Sequence, residues 1–249
     1  MDPRAVVVSG LEAQVVASRG AFTVDARLTA PGGTTLALLG ANGVGKSTLL
    51  QAIAGILPLD AGRVAVGDRT LADAATGRET PIAERRVGVV FQDYLLFPHL
   101  TVLDNVAFGP RSRGLGRREA RARARDWLDR VGLAEAADRH PDQVSGGQAQ
   151  RVAVARALAS EPDLLLLDEP LAALDAETRV DMRDELAGHL ARFAGPAIVI
   201  THSRADAVAL AADAVVLDGG RVSQAGSLAE VLDAPMSGFA RRFADGDFG

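Results

Sequence analysis

An α/β fold built on a mostly parallel sheet is what this sequence predicts, and three observations predict it. The stretch Gly40-Ala41-Asn42-Gly43-Val44-Gly45-Lys46-Ser47 reads G-x-x-x-x-G-K-S, the glycine loop that cradles phosphates between a strand and a helix. Three further apolar runs, at 87–91, 164–167 and 197–200, are continuous rather than alternating, as suits strands covered on both faces. Each of these runs ends on residues able to do chemistry: Gln92, Asp168-Glu169 and Thr201-His202. In open α/β sheets, ligands are met at strand ends of this kind.

Taken in order, the chain begins with β-rich segments at 5–8, 14–17 and 22–28, bounded by Gly10 and Gly20. They are expected to form an antiparallel flap beside the core. Phe22 alternates with Val24 and Ala26, so one face of a strand is its expected place, ahead of stacking on a base. Thr34 to Leu39 is the strand entering the glycine loop, and Leu49, Leu50, Ile53 and Ile56 follow at helical spacing. Within the loop, glycines let successive N–H groups turn inward toward phosphate oxygens. Lys46 adds positive charge, Ser47 offers a hydroxyl to Mg²⁺, and Thr48 continues into a helix whose N-terminus favours anions.

Residues 58–62 form a turn cluster, 63–66 a strand, 67–68 a turn, and 72–81 a polar loop. From Asp93 to Ala159 the pattern becomes helical. Leu95 to Leu100 is apolar and aromatic with a proline break, which would be a partner surface if left exposed. Thr101 is placed to cap a helix through Ala107, and 111–116 reads as a loop. A helix over 117–131 puts Ala120, Ala124, Trp127, Leu128 and Val131 on one face. Its arginines are interleaved with Glu119, Asp126 and Asp129, which reads as a solvated face. Ser145-Gly146-Gly147-Gln148 opens the next helix with Ser145 at the cap, a second candidate anion site. Two acids at the exit of the 164–167 strand are poorly explained by stability. Asp168 is suited to Mg²⁺ and Glu169 to orienting a water. Asp218-Gly219-Gly220 signals a hairpin between 214–217 and 221–224, and short helices are expected at 227–232 and 237–243.

Composition narrows the possibilities. The 249 residues carry a net charge of −5, which argues against general nucleic-acid binding. Cys is absent, so no disulfide or Cys-ligated metal is available. No signal-like opening and no apolar run of membrane-spanning length are found, and Asp206, Asp213 and Asp218 interrupt the most apolar tail segment.

With these motifs in view, the sequence resembles the ATP-binding cassette (ABC) ATPases over nearly its whole length. The P-loop is Gly40 to Ser47, the Q-loop residue Gln92, and the signature Ser145-Gly146-Gly147-Gln148. Walker B is Leu164 to Asp168, followed by Glu169, the D-loop at Ala172 to Asp175 and the switch histidine His202. The Ser-Gly-Gly-Gln signature upstream of Walker B is the most specific of these. The resemblance implies a P-loop NTPase (RecA-like) core over 1–92 and 159–249, with the N-terminal antiparallel β flap and an inserted α-helical subdomain at 93–158. It implies ATP and Mg²⁺ as cofactors, with Ser47, Gln92 and Asp168 at the metal. Lys46, Gln92, Glu169 and His202 would be catalytic, and Thr48 and Asp175 would join the nucleotide contacts. It also implies a head-to-tail homodimer with ATP between the P-loop of one copy and the signature of the other.

Further partners implied are transmembrane permease subunits docking on Gln92–Leu100 and, indirectly, an extracytoplasmic solute-binding protein. The location implied is peripheral, on the cytoplasmic face of the inner membrane. Phe91 to Val102 with Asn105-Val106 is similar to importers of inorganic anions, iron and polyamines, and Asp168 to Asp175 to molybdate importers. Importers of iron, sulfate or polyamines, a separate-chain exporter, and a soluble ABC ATPase are the alternatives. The sequence departs from the family at three points. No aromatic residue stands near Ala17 to Arg19 to stack on adenine, Ala172 replaces a common serine, and the sequence stops at Gly249 where such importers usually carry a C-terminal regulatory β-domain, which reads as either a short member or a truncated one, with no ligand sensing expected of this chain itself.

Overall fold

The computed structural model describes residues 10–246. The strand expected at 5–8 lies outside them. In chain order the strands are β1 (Leu11–Arg19), β2 (Phe22–Ala30), β3 (Thr35–Leu39), β4 (Ala61–Val66), β5 (Arg69–Asp73), β6 (Arg78–Glu79), β7 (Val87–Val90), β8 (Leu164–Asp168), β9 (Ala197–Ile200), β10 (Asp213–Asp218) and β11 (Arg221–Ser227). The helices are α1 (Lys46–Ala54), α2 (Val102–Ser112), α3 (Arg117–Arg130), α4 (Gly146–Ala159), α5 (Ala176–Leu190), α6 (Arg204–Leu210), α7 (Leu228–Asp233) and α8 (Gly238–Asp245).

All the strands join one sheet in the order β6-β5-β4-β1-β2-β11-β10-β3-β9-β8-β7. The half from β10 to β7 is parallel throughout. The half from β6 to β2 is antiparallel, the flap. One residue pair, Arg221 with Asp25, joins β11 to β2 across the boundary. The flap is larger than the sequence suggested. The strand at 61–66 belongs to it, and the stretch expected to be a loop at 72–81 contains the end of β5 and all of β6. These edge strands are short and polar, so period-2 patterning does not reveal them.

The continuous apolar runs work as two-faced strands. Leu36, Leu38, Leu164, Leu166, Ile198 and Ile200 face the cluster that holds Leu49, Leu50 and Ile53 of α1. Ala37, Leu39, Leu165, Leu167, Ala197 and Val199 face the opposite cluster under α4, α5 and α6. Successive side chains of a strand point to opposite faces, so an uninterrupted apolar run is what two covers require. Leu164 to Leu167 are essentially fully buried, at about 1.5–3 kcal/mol for each such side chain.

Helices α2, α3 and α4 enclose a third cluster of their own, including Val102, Val106, Ala120, Ala124, Leu128 and Val152. Thr101 caps α2 by accepting from Asp104 N at 3.1 Å. The helix runs on through Pro110 to Ser112, into the expected loop. The face predicted for α3 is the buried one, and Arg121 reaches back to both carboxylate oxygens of Asp104, at 2.9 and 3.1 Å. Ser227 and Ser237 cap α7 and α8, where short helices were expected.

Candidate active site

The register of the parallel strands decides which side chains meet. Leu38 of β3 and Asp168 of β8 both pair with Ile200 of β9. The P-loop therefore leaves β3, Glu169 leaves β8 and His202 leaves β9 along one edge of the sheet. Val90 of β7 pairs with Leu167, so Gln92 emerges on the same side, two residues on, in an exposed turn.

The glycines of the loop are there for space. Gly40 has φ 151°, and a Cβ on it would lie 2.7 Å from the Leu217 carbonyl oxygen. Gly45 has φ 99°, and its Cβ would fall 2.4 Å from Val24 Cγ2 and 2.8 Å from Phe22 Cε1. Phe22 is thus packed behind the loop with Val24, in the strand-face role its alternation predicts. Gly45 caps α1 without a side-chain hydrogen bond, and no acid stands in the first turn. The N–H groups there are left for an anion.

Lys46 is buried and donates through Nζ to the carbonyl oxygens of Gly40 at 2.8 Å and Ala41 at 2.9 Å. Burial lowers its pKa, and the nearby Glu169 and Asp168 carboxylates pull it back up. Asp168 moves the other way. Burial raises it, while the Ser47 side chain nearby lowers it and Glu169 beside it raises it further. Glu169 is held below the usual carboxylate range, first by the His202 imidazole lying against it. His202 Nε2 lies 2.8 Å from Glu169 Oε1. Two neighbouring acids are therefore pushed apart, one toward the neutral form and one toward the ionised form.

Glu169 sits in the left-handed region at φ 48°, a conformation a glutamate rarely adopts. Its own N–H donates to Ile200 O at 3.1 Å, which ties the turn after β8 to the end of β9. Among the described residues no three His, Asp or Glu side chains converge as a metal cage. Ser47 with Asp168 is instead a hydroxyl–carboxylate pair beside an anion site. That suits Mg²⁺, which is commonly held by one or two protein groups with phosphate and water completing its shell.

The second glycine motif is built differently. Ser145 Oγ accepts from Gln148 N at 3.2 Å, and the Gln148 side chain accepts from Ser145 N at 3.0 Å, a closed capping box. A Cβ on Gly147 would lie 2.9 Å from Thr178 Cγ2, so the start of α4 is seated on the start of α5. Asp175 caps α5 by accepting from Thr178 N at 3.0 Å and is exposed, as is Ala172. Within one chain, no hydrogen bond or ion pair among the described residues joins Ser145–Gln148 or Asp175 to the P-loop.

Sequence reasoning missed the layer behind the site. Asp206 of α6, read only as an interruption in an apolar stretch, is 2% exposed and holds Arg179 of α5 at 2.7 Å. It also missed Arg156 of α4, which donates to the carbonyl oxygens of Leu95 and Tyr94, both at 2.7 Å. Tyr94 and Leu95 are consecutive left-handed residues, at φ 57° and 44°. Only the fold brings these pairs together.

A glycine loop, two acids and a histidine on one sheet edge, with a capped Ser-Gly-Gly-Gln helix start elsewhere in the same chain, define a class. The ABC transporter family matches residues 24–172, and the chain belongs to that family. A molybdenum import ATP-binding protein, ModC of Mycobacterium tuberculosis, is 48% identical over 92% of this chain and 63% of its own length. An Fe(3+) ions import ATP-binding protein, FbpC of Rhizobium etli, is 45% identical over 91% of this chain and 63% of its own. A sulfate/thiosulfate import ATP-binding protein, CysA 2 of Chromobacterium violaceum, is 44% identical over 90% of this chain and 60% of its own. The chain thus spans between 60% and 63% of the length of these curated relatives.

Proposed function

We propose that this chain binds and hydrolyses ATP to drive an ABC importer, with molybdate or a related oxyanion as the solute. The observation that carries the ATPase reading is the convergence of buried Lys46, Asp168 and the Glu169–His202 contact on one edge of the parallel sheet. The similarity to a molybdenum import protein supports the solute. In this reading Gly40 to Thr48 wrap the phosphates, and Lys46 neutralises them. Ser47 and Asp168, with Gln92, hold Mg²⁺, which supplies charge compensation at the phosphate oxygens.

Glu169, ionised at neutral pH, orients a water for in-line attack. A bond forms from the water oxygen to the γ-phosphorus as the bond to the β–γ bridging oxygen breaks, and the water proton passes toward the carboxylate. His202 holds the carboxylate at rest and contacts the γ-phosphate when ATP is bound. Ser145 to Gln148 and Asp175 complete the site of a second copy arranged head to tail.

Residues 93–158 act as a helical subdomain with its own apolar cluster, between core segments that end at residue 92 and resume at 159. Its surface from Gln92 to Leu100 receives the permease, and half-exposed Leu95 and Phe108 suit that contact. No helix among the described residues is long and apolar enough to cross a membrane, so transmembrane passage belongs to the permease in this reading. A solute-binding protein delivers cargo on the far side, and the chain works at the inner face of the membrane.

The test is the elemental content of cells with and without the gene at limiting molybdate, sulfate and iron. A selective loss of molybdenum, restored by the wild-type gene and not by Glu169→Gln, is expected. A loss of iron or sulfur would move the solute to those of the other relatives. No change in any of them would overturn the importer reading for these solutes.

A further inference from the structure

Behind the Glu169–His202 contact lies an ion pair that the chemistry described so far does not use. Asp206 is 2% exposed, and its Oδ2 accepts from Arg179 Nη2 at 2.7 Å and Nε at 3.2 Å. The same oxygen takes the Thr201 hydroxyl at 3.4 Å. Thr201 Oγ1 in turn accepts from Ser203 N at 3.1 Å, and Ser203 Oγ accepts from Asp206 N at 3.2 Å. The bonds close a loop around residues 201–206, and His202 is the member of that loop that points at Glu169. Arg179 belongs to α5, which follows directly from the turn that carries Glu169. One ion pair therefore braces both sides of the Glu169–His202 contact from behind.

Stability alone is a weak reason for this pair. Asp206 Oδ1 is buried without a hydrogen-bond partner, and Arg183 reaches only to 4.0 Å from it. A buried carboxylate satisfied on one oxygen is costly, and apolar side chains of similar volume commonly hold a fold as well or better. What apolar side chains do not reproduce is direction. The Arg179 fork fixes Asp206, Asp206 fixes the Thr201 hydroxyl, and Thr201 fixes the Ser203 backbone next to His202.

We infer that Arg179 and Asp206 together are positioning residues for hydrolysis: they hold His202 and Glu169 in register with each other while touching neither ATP nor the attacking water. The inference rests on the ATP-hydrolysing reading above. It requires that losing the pair lowers kcat far more than it changes KM for ATP, because Lys46 and the P-loop supply most of the phosphate contacts in this reading, and no hydrogen bond or ion pair among the described residues joins them to Arg179 or Asp206. A misplacement of about 1 Å at reacting groups commonly costs up to about 100-fold in rate, so a fall of about 10-fold or more is expected.

The experiment compares steady-state ATPase, ATP affinity by calorimetry and thermal melting for the parent, Asp206→Asn, Arg179→Lys and the double variant Arg179→Met/Asp206→Leu. Asp206→Asn should lose about 10-fold or more in kcat at a KM within about twofold of the parent. Arg179→Lys, which keeps the charge and loses the fork, should fall between the two. The double variant decides the matter. If the pair only supports the fold, restored melting restores kcat. If it positions, kcat stays low in a protein that melts like the parent and binds ATP like the parent. A double variant with parental kcat, or an Arg179→Lys variant with parental kcat, would overturn the inference. A parent that binds no ATP or hydrolyses none would overturn the proposed function instead.

Discussion

The two helices that begin at the glycine motifs, α1 and α4, treat their free N–H groups in opposite ways. α1 has a left-handed glycine at its cap, no side-chain cap and a buried lysine as its first residue. α4 has Ser145 at its cap, and the Ser145–Gln148 box already satisfies donors there. Ser145 and Gly146 are exposed, whereas Lys46 is enclosed between backbone carbonyl oxygens and two acids. α1 thus leaves backbone donors open beside a buried lysine within one chain. The α4 start has its donors satisfied by its own side chains and faces outward, which fits the head-to-tail pairing proposed above.

The largest effect that sharpens this contrast belongs to α1. Lys46→Ala removes the only side-chain charge in the P-loop and should weaken ATP binding by about 100-fold or more by calorimetry, on the scale of a lost charge-assisted hydrogen bond in a buried site. Unchanged affinity would break the P-loop assignment.

The corresponding change at α4 should behave differently. Ser145→Ala loses the cap and should cost about 1 kcal/mol in melting experiments, within the usual range for such caps. It should leave ATP affinity of the separate chain within about twofold, while weakening ATP-driven pairing in sedimentation. A large fall in ATP affinity of the monomer would mean that α4 contacts nucleotide within its own chain.

The smallest effect concerns acid. The folded Glu169 value is depressed, chiefly by its contact with His202. The contact therefore adds stability above the ordinary glutamate value of about 4.3 and loses it as pH falls through the lower folded value. Because Glu169 is partly exposed, the gain at neutral pH should be below about 1 kcal/mol. His202→Ala should show this small deficit in denaturant titrations at pH 7 and none once Glu169 is protonated. A deficit that persists in acid would mean that His202 stabilises the chain by packing.

Which parts of this picture were readable in the sequence follows from range. The P-loop, the capping box and the Leu164–Asp168 run are local patterns, and each forms where its residue types demand. The parallel order of the strands follows from buried apolar runs of uniform character. Placing Asp168, Glu169 and His202 on one edge needed only the rule that chemistry gathers at strand ends. Arg179 and Asp206 are 27 residues apart, and neither belongs to a pattern that names the other. Arg156 and the Tyr94–Leu95 turn are separated by about 60 residues for the same reason. The flap strands β5 and β6 were missed because short polar edge strands take their structure from neighbours. Phe22 was legible as a strand residue, but its place behind Gly45 was not.

The central claim is that the two unlike helix starts complete one site only when two copies meet. Light scattering on Glu169→Gln, with and without ATP and Mg²⁺, tests it most directly. The account predicts that ATP doubles the mass, because the nucleotide is bound and not cleaved, and that adding Ser145→Arg returns it to the monomer with ATP affinity per chain intact. A chain that binds ATP tightly and stays monomeric at every protein concentration tested would contradict it.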